Sequence, residues 1–342
     1  MWQTFAGWRL WATEAQEVVS VTANDRTGKR GQHIPSWRHV VLTVLGLGSL
    51  PALLLAALWA LISHADGQIV SGGRKRSYLL HVPASYNPAT PVPLVISIHG
   101  FAEWPAHLMR ISRWNDLADR HGFIVVYPEG TGLPRRWRTW GQMQPSAEAM
   151  QDVSFIADLI DSLAERYSID KTRVYANGFS NGGGMSYLLA CQLADRIAAA
   201  GSVAGAYMLP LSACQPTRPV PLIAFHGTAD AIVPYHGGLS GPSHLPLPAV
   251  PDLIAAWAGL SGCNATPVPL AGHGEVSGLQ YTGCRGGADV VFYTIEGGGH
   301  AWPGGDPLPR FIVGHTTQDI DATAVMWAFF SQHVLPTECS VS

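Results

Sequence analysis

Short apolar runs alternate with helical patterns along the chain from about Gly67 onward. Runs that are rich in β-branched residues are typical of strands buried on both faces of a parallel sheet. The runs are Leu94–His99, Phe123–Tyr127, Val174–Ala176, Leu222–Phe225 and Val290–Ile295. The stretch Arg76–Val82 instead alternates apolar and polar residues, which predicts an antiparallel edge strand.

Helical periodicity fills the intervals between these runs. Asp152–Tyr167 begins at a favourable N-cap residue and carries apolar residues at helical spacing. The other helical patterns are Trp114–Arg120, Met185–Leu193, Val250–Leu260 and Thr316–Val334. Because strands and helices alternate without an internal repeat or a Gly/Ser linker, we expect one α/β domain with a mostly parallel sheet and helices on both faces.

The segment Val40–Ile62 is an uncharged apolar run of 23 residues. As a helix it would be about 35 Å long, enough to cross a hydrocarbon layer of about 30 Å. Three interpretations are open: a signal-anchor, a secretory signal cleaved after the small-x-small tripeptide that ends at Ala65, or a buried core helix. The first two place the rest of the chain outside the cytoplasm, and an uncleaved segment would contact the membrane.

These patterns divide the chain into four parts. Residues 1–39 are expected to be a poorly ordered leader, and residues 40–62 a transmembrane or signal-anchor segment. Residues 66–336 are expected to form the α/β domain. Residues 337–342 would be a tail.

Composition excludes several classes of function. Hydrophobic residues make up 47% of the chain and charged residues 13%, which excludes a disordered, solvated polymer. The formal charge is −3, and the only lysines are Lys29, Lys75 and Lys171. Because nucleic-acid binding needs clustered cations, no nucleic-acid partner is expected.

Five cysteines follow the apolar segment. In an exported protein Cys191–Cys214 and Cys263–Cys284 are candidate disulfides that would close short loops, with Cys339 left over in the tail. Free buried thiols are the alternative. No CxxC motif or Cys/His zinc spacing occurs, so no metal site is expected.

A Gly-x-Ser-x-Gly motif places Ser180 between a predicted strand and a predicted helix. This is the context of a nucleophile elbow, in which flanking glycines avoid clashes at a sharp turn. Asp230 and His300 each follow a later apolar run, in the turns HGTAD and GGGHAW. The order Ser, Asp, His is that of α/β-hydrolases, so Ser180, Asp230 and His300 are the predicted nucleophile, acid and base.

Two backbone N–H groups are candidates for an oxyanion hole. One belongs to Asn181, directly after the serine, and the other to Phe101, in the loop after the first buried strand. His99 in the same loop is expected to buttress it rather than to react. No organic cofactor or metal is expected for such chemistry.

Residues 72–335 resemble the extracellular esterases that include polyhydroxybutyrate depolymerases and feruloyl esterases. The segments that carry the resemblance are GGRKRSYLLHVPASYNP, the HGF turn, RWNDLADRHGFIVVYPEG, DKTRVYANGFSNGGGMSYLLAC, CQPTRPVPLIAFHGTADAIVPYHGG and IEGGGHAWPGG. The resemblance implies an α/β-hydrolase fold, hydrolysis of carboxylic esters, and the same roles for Ser180, Asp230 and His300. The SNGG, LAC and CQP segments resemble the feruloyl-esterase branch more than the polymer-degrading one.

Two departures argue against a solid polyester as the substrate. The loop HGFAEWPAHLMR lacks the cysteine of many polymer depolymerases, and no polymer-binding domain is expected after the α/β domain. We expect a small-molecule or oligomeric ester, of feruloyl, acetyl or hydroxyalkanoate type. Four tryptophans are candidates for stacking on an aromatic acyl group or a sugar ring: Trp104, Trp137, Trp140 and, most favoured, Trp302.

Two other readings of the motifs remain. A peptidase or lipase on the same fold would use the same three residues, because a triad does not separate esters from amides. A membrane-tethered binding protein on an inactive hydrolase fold is the second reading, although the serine, the histidine and both flanking glycines are present. The arginines Arg135, Arg136 and Arg138 are read as a solvated basic turn, with a carboxylate-binding site as the alternative.

Overall fold

A computed structural model describes residues 65–241 and 244–336 of the chain. The predicted leader, the apolar segment 40–62, the tail and Cys339 lie outside these residues. In the two described ranges, no helix combines the length and the apolarity that a membrane crossing requires. Membrane contact through residues 40–62 therefore stays a prediction.

Twelve strands are present in the described ranges. In chain order they are β1 Gly67–Ser71, β2 Arg74–His81, β3 Val92–Ile98, β4 Ile124–Pro128, β5 Ile169–Phe179, β6 Ala199–Val203, β7 Leu222–Gly227, β8 Gly238–Leu239, β9 Pro246–Leu247, β10 Val268–His273, β11 Val276–Tyr281 and β12 Val290–Ile295. Ten of them form one sheet in the order β1-β2-β4-β3-β5-β6-β7-β12-β11-β10, and β8 pairs with β9.

The centre of the sheet is parallel and its two edges are antiparallel. Strands β4, β3, β5, β6, β7 and β12 run parallel to one another. The pair β1-β2 and the pair β11-β10 add antiparallel ribbons at the two edges. Every residue of β3, β4, β6 and β7 is buried, as expected of strands that are covered on both faces.

Helices cover both faces of this sheet. They are α1 Pro105–Ser112, α2 Trp114–His121, α3 Ala147–Arg166, α4 Asn181–Gln192, α5 Val250–Leu260, α6 Arg310–Val313 and α7 Ala322–Phe330. One core cluster contains buried residues of α3, α4 and α5, and a second contains those of α1, α2 and α7. The predicted α/β architecture is confirmed.

Several predicted elements differ from those observed. Strand β2 is antiparallel as predicted but is not an edge strand, because β1 pairs with its outer side. Helix α3 begins after Ser146, whose hydroxyl accepts the N–H of Ala149, so Asp152 is not its N-cap. Helix α7 is shorter than the predicted Thr316–Val334, and its N-cap is Asp321.

Asp152 instead lies buried within α3 and forms an ion pair with Arg76 of β2. Their closest atoms, Arg76 Nη2 and Asp152 Oδ1, are 3.0 Å apart, and both side chains are almost fully buried. Asp152 Oδ2 accepts the backbone N–H of Arg138 at 3.0 Å. The guanidinium also lies 3.9 Å from the ring centre of Phe155. This pair therefore joins the sheet, helix α3 and the loop that follows β4.

Both predicted disulfides are present. Cys191 at the end of α4 bonds Cys214, and Cys263 after α5 bonds Cys284. Each closes a loop of about twenty residues, for which the chain-entropy account gives about 3 kcal/mol. The first ties the helix behind the elbow to the segment that leads into β7.

Replacing Asp152 by Asn should destabilise the fold by about 3 kcal/mol, because Arg76 would remain buried without a carboxylate. The matched control is Asp161→Asn in the same helix. Asp161 is half exposed and pairs with Arg196, so its loss should cost no more than about 1 kcal/mol. Urea unfolding followed by tryptophan fluorescence measures both. Equal losses in the two variants would contradict the structural role of the buried pair.

Candidate active site

The Gly-x-Ser-x-Gly motif forms a sharp turn between β5 and α4. Ser180 has φ 56° and ψ −117°, a conformation that L-residues rarely adopt. A Cβ on Gly178 would lie 2.2 Å from the carbonyl oxygen of Gly182, and a Cβ on Gly182 would lie 2.0 Å from that of Ile98. Both flanking glycines are therefore required by close approach of the backbone. Ser180 is 8% exposed at the start of α4.

Asp230 and His300 meet through a short hydrogen bond. Asp230 follows β7 and His300 follows β12, which are neighbouring parallel strands, so the two turns emerge at the same edge of the sheet. His300 Nδ1 donates to Asp230 Oδ2 at 2.7 Å. The His300 ring lies 4.9 Å from that of Phe179, the residue before Ser180. The imidazole is therefore placed beside the elbow.

Asp230 is held in its ionised form. Its Oδ1 accepts the backbone N–H groups of Ile232 and Val233, at 2.9 and 2.8 Å. Burial by itself raises the pKa of Asp230, but the contacts with His300, His226 and the Val233 N–H outweigh it and lower the pKa below its usual value. An ionised carboxylate accepts only, so Nδ1 of His300 carries the proton of their bond and Nε2 is left as a base.

His226 is a residue of this site to which the sequence assigned no role. Its Nε2 donates to the carbonyl of Val233 at 2.8 Å and lies 3.4 Å from Asp230 Oδ2. Burial lowers the pKa of His226, which favours the neutral ring. The His226 ring therefore packs against the turn that carries Asp230. Its position at the start of the HGTAD turn was the only signal in the sequence.

The loop after β3 lies directly against the nucleophile. A Cβ on Gly100 would be 3.3 Å from Ser180 Cβ, so the peptide that carries the Phe101 N–H borders the serine. The N–H of Gly100 itself donates to Glu103 Oε2 at 2.7 Å. Asn181 is the first residue of α4, where a backbone N–H has no partner within the helix. The segments that carry the two predicted oxyanion donors are thus both close to Ser180, and the donor role of their N–H groups stays a prediction.

His99 braces the loops that surround the serine. Its Nδ1 donates to the carbonyl of Gly100 at 2.7 Å, and its Nε2 accepts the N–H of Gly130 at 2.9 Å. Burial lowers the pKa of His99 to about 4, so the ring is neutral near neutral pH. The carbonyl of His99 accepts the indole N–H of Trp137 at 3.1 Å. These bonds agree with the structural role that was expected of His99.

The side chain of Asn181 joins α4 to the loop after β4. Its Oδ1 accepts the backbone N–H of Trp137 at 2.7 Å, and its Nδ2 donates to the carbonyl of the same residue at 3.0 Å. This paired contact resembles a short stretch of β ladder between a side chain and a backbone. It fixes the loop 129–146 relative to the helix that begins at the elbow.

A cavity of about 240 Å³ opens beside Ser180. Its wall is mostly apolar and includes Phe101, Met208, Ile232, Leu245 and Leu247. Ligand cavities commonly measure roughly 300–1,000 Å³, so this one suits a small acyl or alcohol group. Among the described residues, no cluster of three or more His, Cys, Asp and Glu side chains is arranged to hold a metal ion.

The four candidate tryptophans occupy different places. Trp137 and Trp140 line the cavity, and Trp140 is 51% exposed. Trp302, the most favoured from the sequence, is 2% exposed and donates its indole N–H to Thr323 at 2.9 Å, so it belongs to the core. Trp104 precedes α1, packs on His107 and is not among the residues that line the cavity. Closeness to His300 in the sequence did not place Trp302 at the cavity.

Comparison with known proteins gives the family. The sequence profile described as "Esterase PHB depolymerase" matches residues 76–213. The chain is 32% identical over 274 residues to "Putative esterase NocK" of Nocardia uniformis subsp. tsuyamanensis, covering 74% of this chain and 78% of that protein. The chain belongs to the Esterase PHB depolymerase family. Membership of this family makes it a carboxylic ester hydrolase.

Two further matches agree with this family. Feruloyl esterase B of Piromyces equi is 32% identical over 232 residues, which are 66% of this chain but 42% of that protein. The solved structure of an acetyl xylan esterase from Aspergillus awamori superimposes with a TM-score of 0.53 at 17% identity, covering 69% of this chain and 93% of the other. The structural match shows a shared fold.

Gly182→Ala should abolish the elbow, because the new methyl group would lie against the backbone oxygen of Ile98, which cannot move aside. We expect either no soluble protein or a loss of esterase activity of about 100-fold or more. Gly259→Ala in α5 is the matched control, since a Cβ there meets nothing within 4 Å. That change should keep full activity and raise stability by up to about 1 kcal/mol. An active, stable Gly182→Ala protein would contradict the steric argument.

Proposed function

We propose that this protein is a serine esterase that acts through an acyl-enzyme, with Ser180 as nucleophile, His300 as base and Asp230 as the orienting acid. The observation that carries the proposal is the 2.7 Å bond from His300 Nδ1 to Asp230, beside the turn that presents Ser180. A histidine so oriented by a buried carboxylate is the arrangement that activates a serine hydroxyl.

In the first step Ser180 Oγ attacks the ester carbonyl while His300 Nε2 accepts the hydroxyl proton. Asp230 stays ionised and stabilises the imidazolium, because its other oxygen is already held by two backbone N–H groups. The negative charge that develops on the substrate oxygen is met by the N–H groups of Asn181 and Phe101. Each such donor is typically worth about 3 kcal/mol in the transition state.

In the second half of the reaction the same three residues act again, and His300 first gives up the proton that it accepted. His300 gives its proton to the leaving alcohol, and the Ser180 acyl-enzyme remains. A water molecule that is deprotonated by His300 then attacks the acyl carbonyl, releasing the acid and restoring the serine. Every step is carried by side chains and backbone groups of this chain.

We propose small esters of feruloyl, acetyl or hydroxyalkanoate type as substrates. The size of the cavity supports a single small group rather than an enclosed polymer, and Trp140 offers an aromatic face at its rim. Relatives named as feruloyl esterases agree with an aromatic acid. The two disulfides support a site of action outside the cytoplasm.

Ser180→Ala, His300→Gln and Asp230→Asn should each lower kcat on a short aryl ester by about 10⁴-fold, because the three residues act as one unit. Hydrolysis of an aryl acetate at pH 7 measures this, with circular dichroism to show that each variant is folded. A peptide substrate run in parallel tests the peptidase reading. A folded Ser180→Ala protein with wild-type activity would refute the mechanism.

Trp140→Ala should raise KM for methyl ferulate about tenfold while leaving ethyl acetate unchanged, because only the ferulate has an aromatic ring that can stack on the indole. Trp104→Ala is the control, since Trp104 is not among the residues that line the cavity. Steady-state kinetics on both esters give the comparison. Equal effects of Trp140→Ala on the two esters would show that Trp140 only packs the loop.

A further inference from the structure

The cavity beside Ser180 has an unbalanced charge on its wall. Two arginines, Arg136 and Arg138, are among its lining residues, and none of the described lining residues is Asp or Glu. Both belong to the loop between β4 and α3, which the bonds of Trp137 and Asp152 hold in place. A cation at the wall of a mostly apolar cavity acts in a medium of low polarity, where an anion is strongly attracted.

The three arginines of this loop have different partners. Arg135 pairs with Glu129 at 2.5 Å and does not line the cavity. Arg138 donates to the hydroxyl of Thr131 and lies 4.0 Å from Asp152, a carboxylate that it shares with Arg76. These two arginines are therefore wholly or partly neutralised by carboxylates of the chain.

Arg136 differs from both. Among the described residues it has no carboxylate partner, and its guanidinium makes one long hydrogen bond of 3.4 Å, to the carbonyl of Pro134. The side chain is only partly exposed and borders the cavity. Guanidinium groups bind carboxylates through paired N–H donors, and four of the five donors of Arg136 have no such bond in the described part of the chain.

We propose that Arg136 is a specificity-determining residue that binds a carboxylate carried by the ester substrate. The preferred substrate then has an apolar body with an anionic end, such as a hydroxyalkanoate oligomer with a free carboxyl terminus or a half-ester of a dicarboxylic acid. This proposal rests on the proposed function, because it assigns the substrate class of the same site. Arg136 binds the remote carboxylate and takes no part in bond cleavage.

The test uses pairs of esters that differ in one charge. The first pair is the linear dimer of 3-hydroxybutyrate and its methyl ester, where the carboxylate lies on the alcohol side of the scissile bond. The second is the mono-aryl ester of glutaric acid and the aryl ester of pentanoic acid, where it lies on the acyl side. Wild type, Arg136→Gln and Arg135→Gln are compared on all four. Arg135→Gln removes the same net charge from the same loop.

Arg136→Gln should raise KM about tenfold for the anionic member of at least one pair, with kcat nearly unchanged and the neutral member unaffected. Arg135→Gln should leave the ratio of anionic to neutral substrate as in the wild type. The wild-type preference should also decline between low salt and 0.5 M salt, because the ion pair is partly open to solvent. The pair that responds identifies the side of the ester that faces Arg136.

Two outcomes overturn the proposal. In one, Arg136→Gln changes neither pair, or changes anionic and neutral members alike. In the other, Arg135→Gln has the same effect as Arg136→Gln, which would indicate the net charge of the loop rather than this guanidinium. Calorimetric binding of the anionic dimer to Ser180→Ala, with and without Arg136→Gln, is independent of catalysis. It separates a failure of the carboxylate site from a failure of the serine mechanism.

Discussion

The close approach of the first turn of α4 to the carboxyl end of β3 is the constraint on which the site depends. Only glycine at position 182 allows the helix backbone to lie against the Ile98 carbonyl, and only glycine at 178 allows the turn to close. This contact brings Ser180 next to Gly100, so that the loop after β3 lies against the nucleophile elbow. The two-donor oxyanion hole that we propose depends on this close approach.

Buried polar groups hold the surrounding loops to this elbow. His99 joins the loop after β3 to the loop after β4. Asn181 joins α4 to the backbone of Trp137. Asp152 joins α3 to Arg76 and to the backbone of Arg138. Because an unpaired polar group costs free energy in the interior, each bond restricts the loop to one arrangement. The irregular segment 129–146 is thereby held firmly enough to present Trp140 and Arg136 at the cavity.

The catalytic arrangement and the substrate preference belong to different parts of the molecule. The proposed triad lies at the ends of central parallel strands, whose order and register position its turns. Much of the cavity wall comes from connecting loops, which vary more readily than the strands they join. Family membership therefore accounts for ester hydrolysis, while we propose that the choice of ester depends on residues such as Trp140 and Arg136 outside the motifs.

Features that depend on local spacing could be read before the structure. Val250–Leu260 and Val290–Ile295 have the predicted bounds, because helical spacing of apolar residues and a β-branched run are each recognisable from the local sequence. Strand β6 was missed because Ala199–Val203 is built mainly of small residues, whose strand conformation comes from pairing with β5 and β7. Asp152 was misread as a cap because its partner Arg76 is distant in sequence.

The sequence by itself determined the fold class and the positions of Ser180, Asp230 and His300 at the ends of successive apolar runs, and it named the two cysteine pairs that the structure shows bonded. The three site residues could be placed together because the carboxyl ends of parallel strands share one edge of a sheet. Only the tertiary structure decided that Trp302 is in the core and that Trp140 is at the cavity. It also decided that Arg136, within the described part of the chain, lacks the carboxylate partner its neighbours have. Burial and charge pairing are set by segments far apart in the chain, so local pattern cannot reveal them.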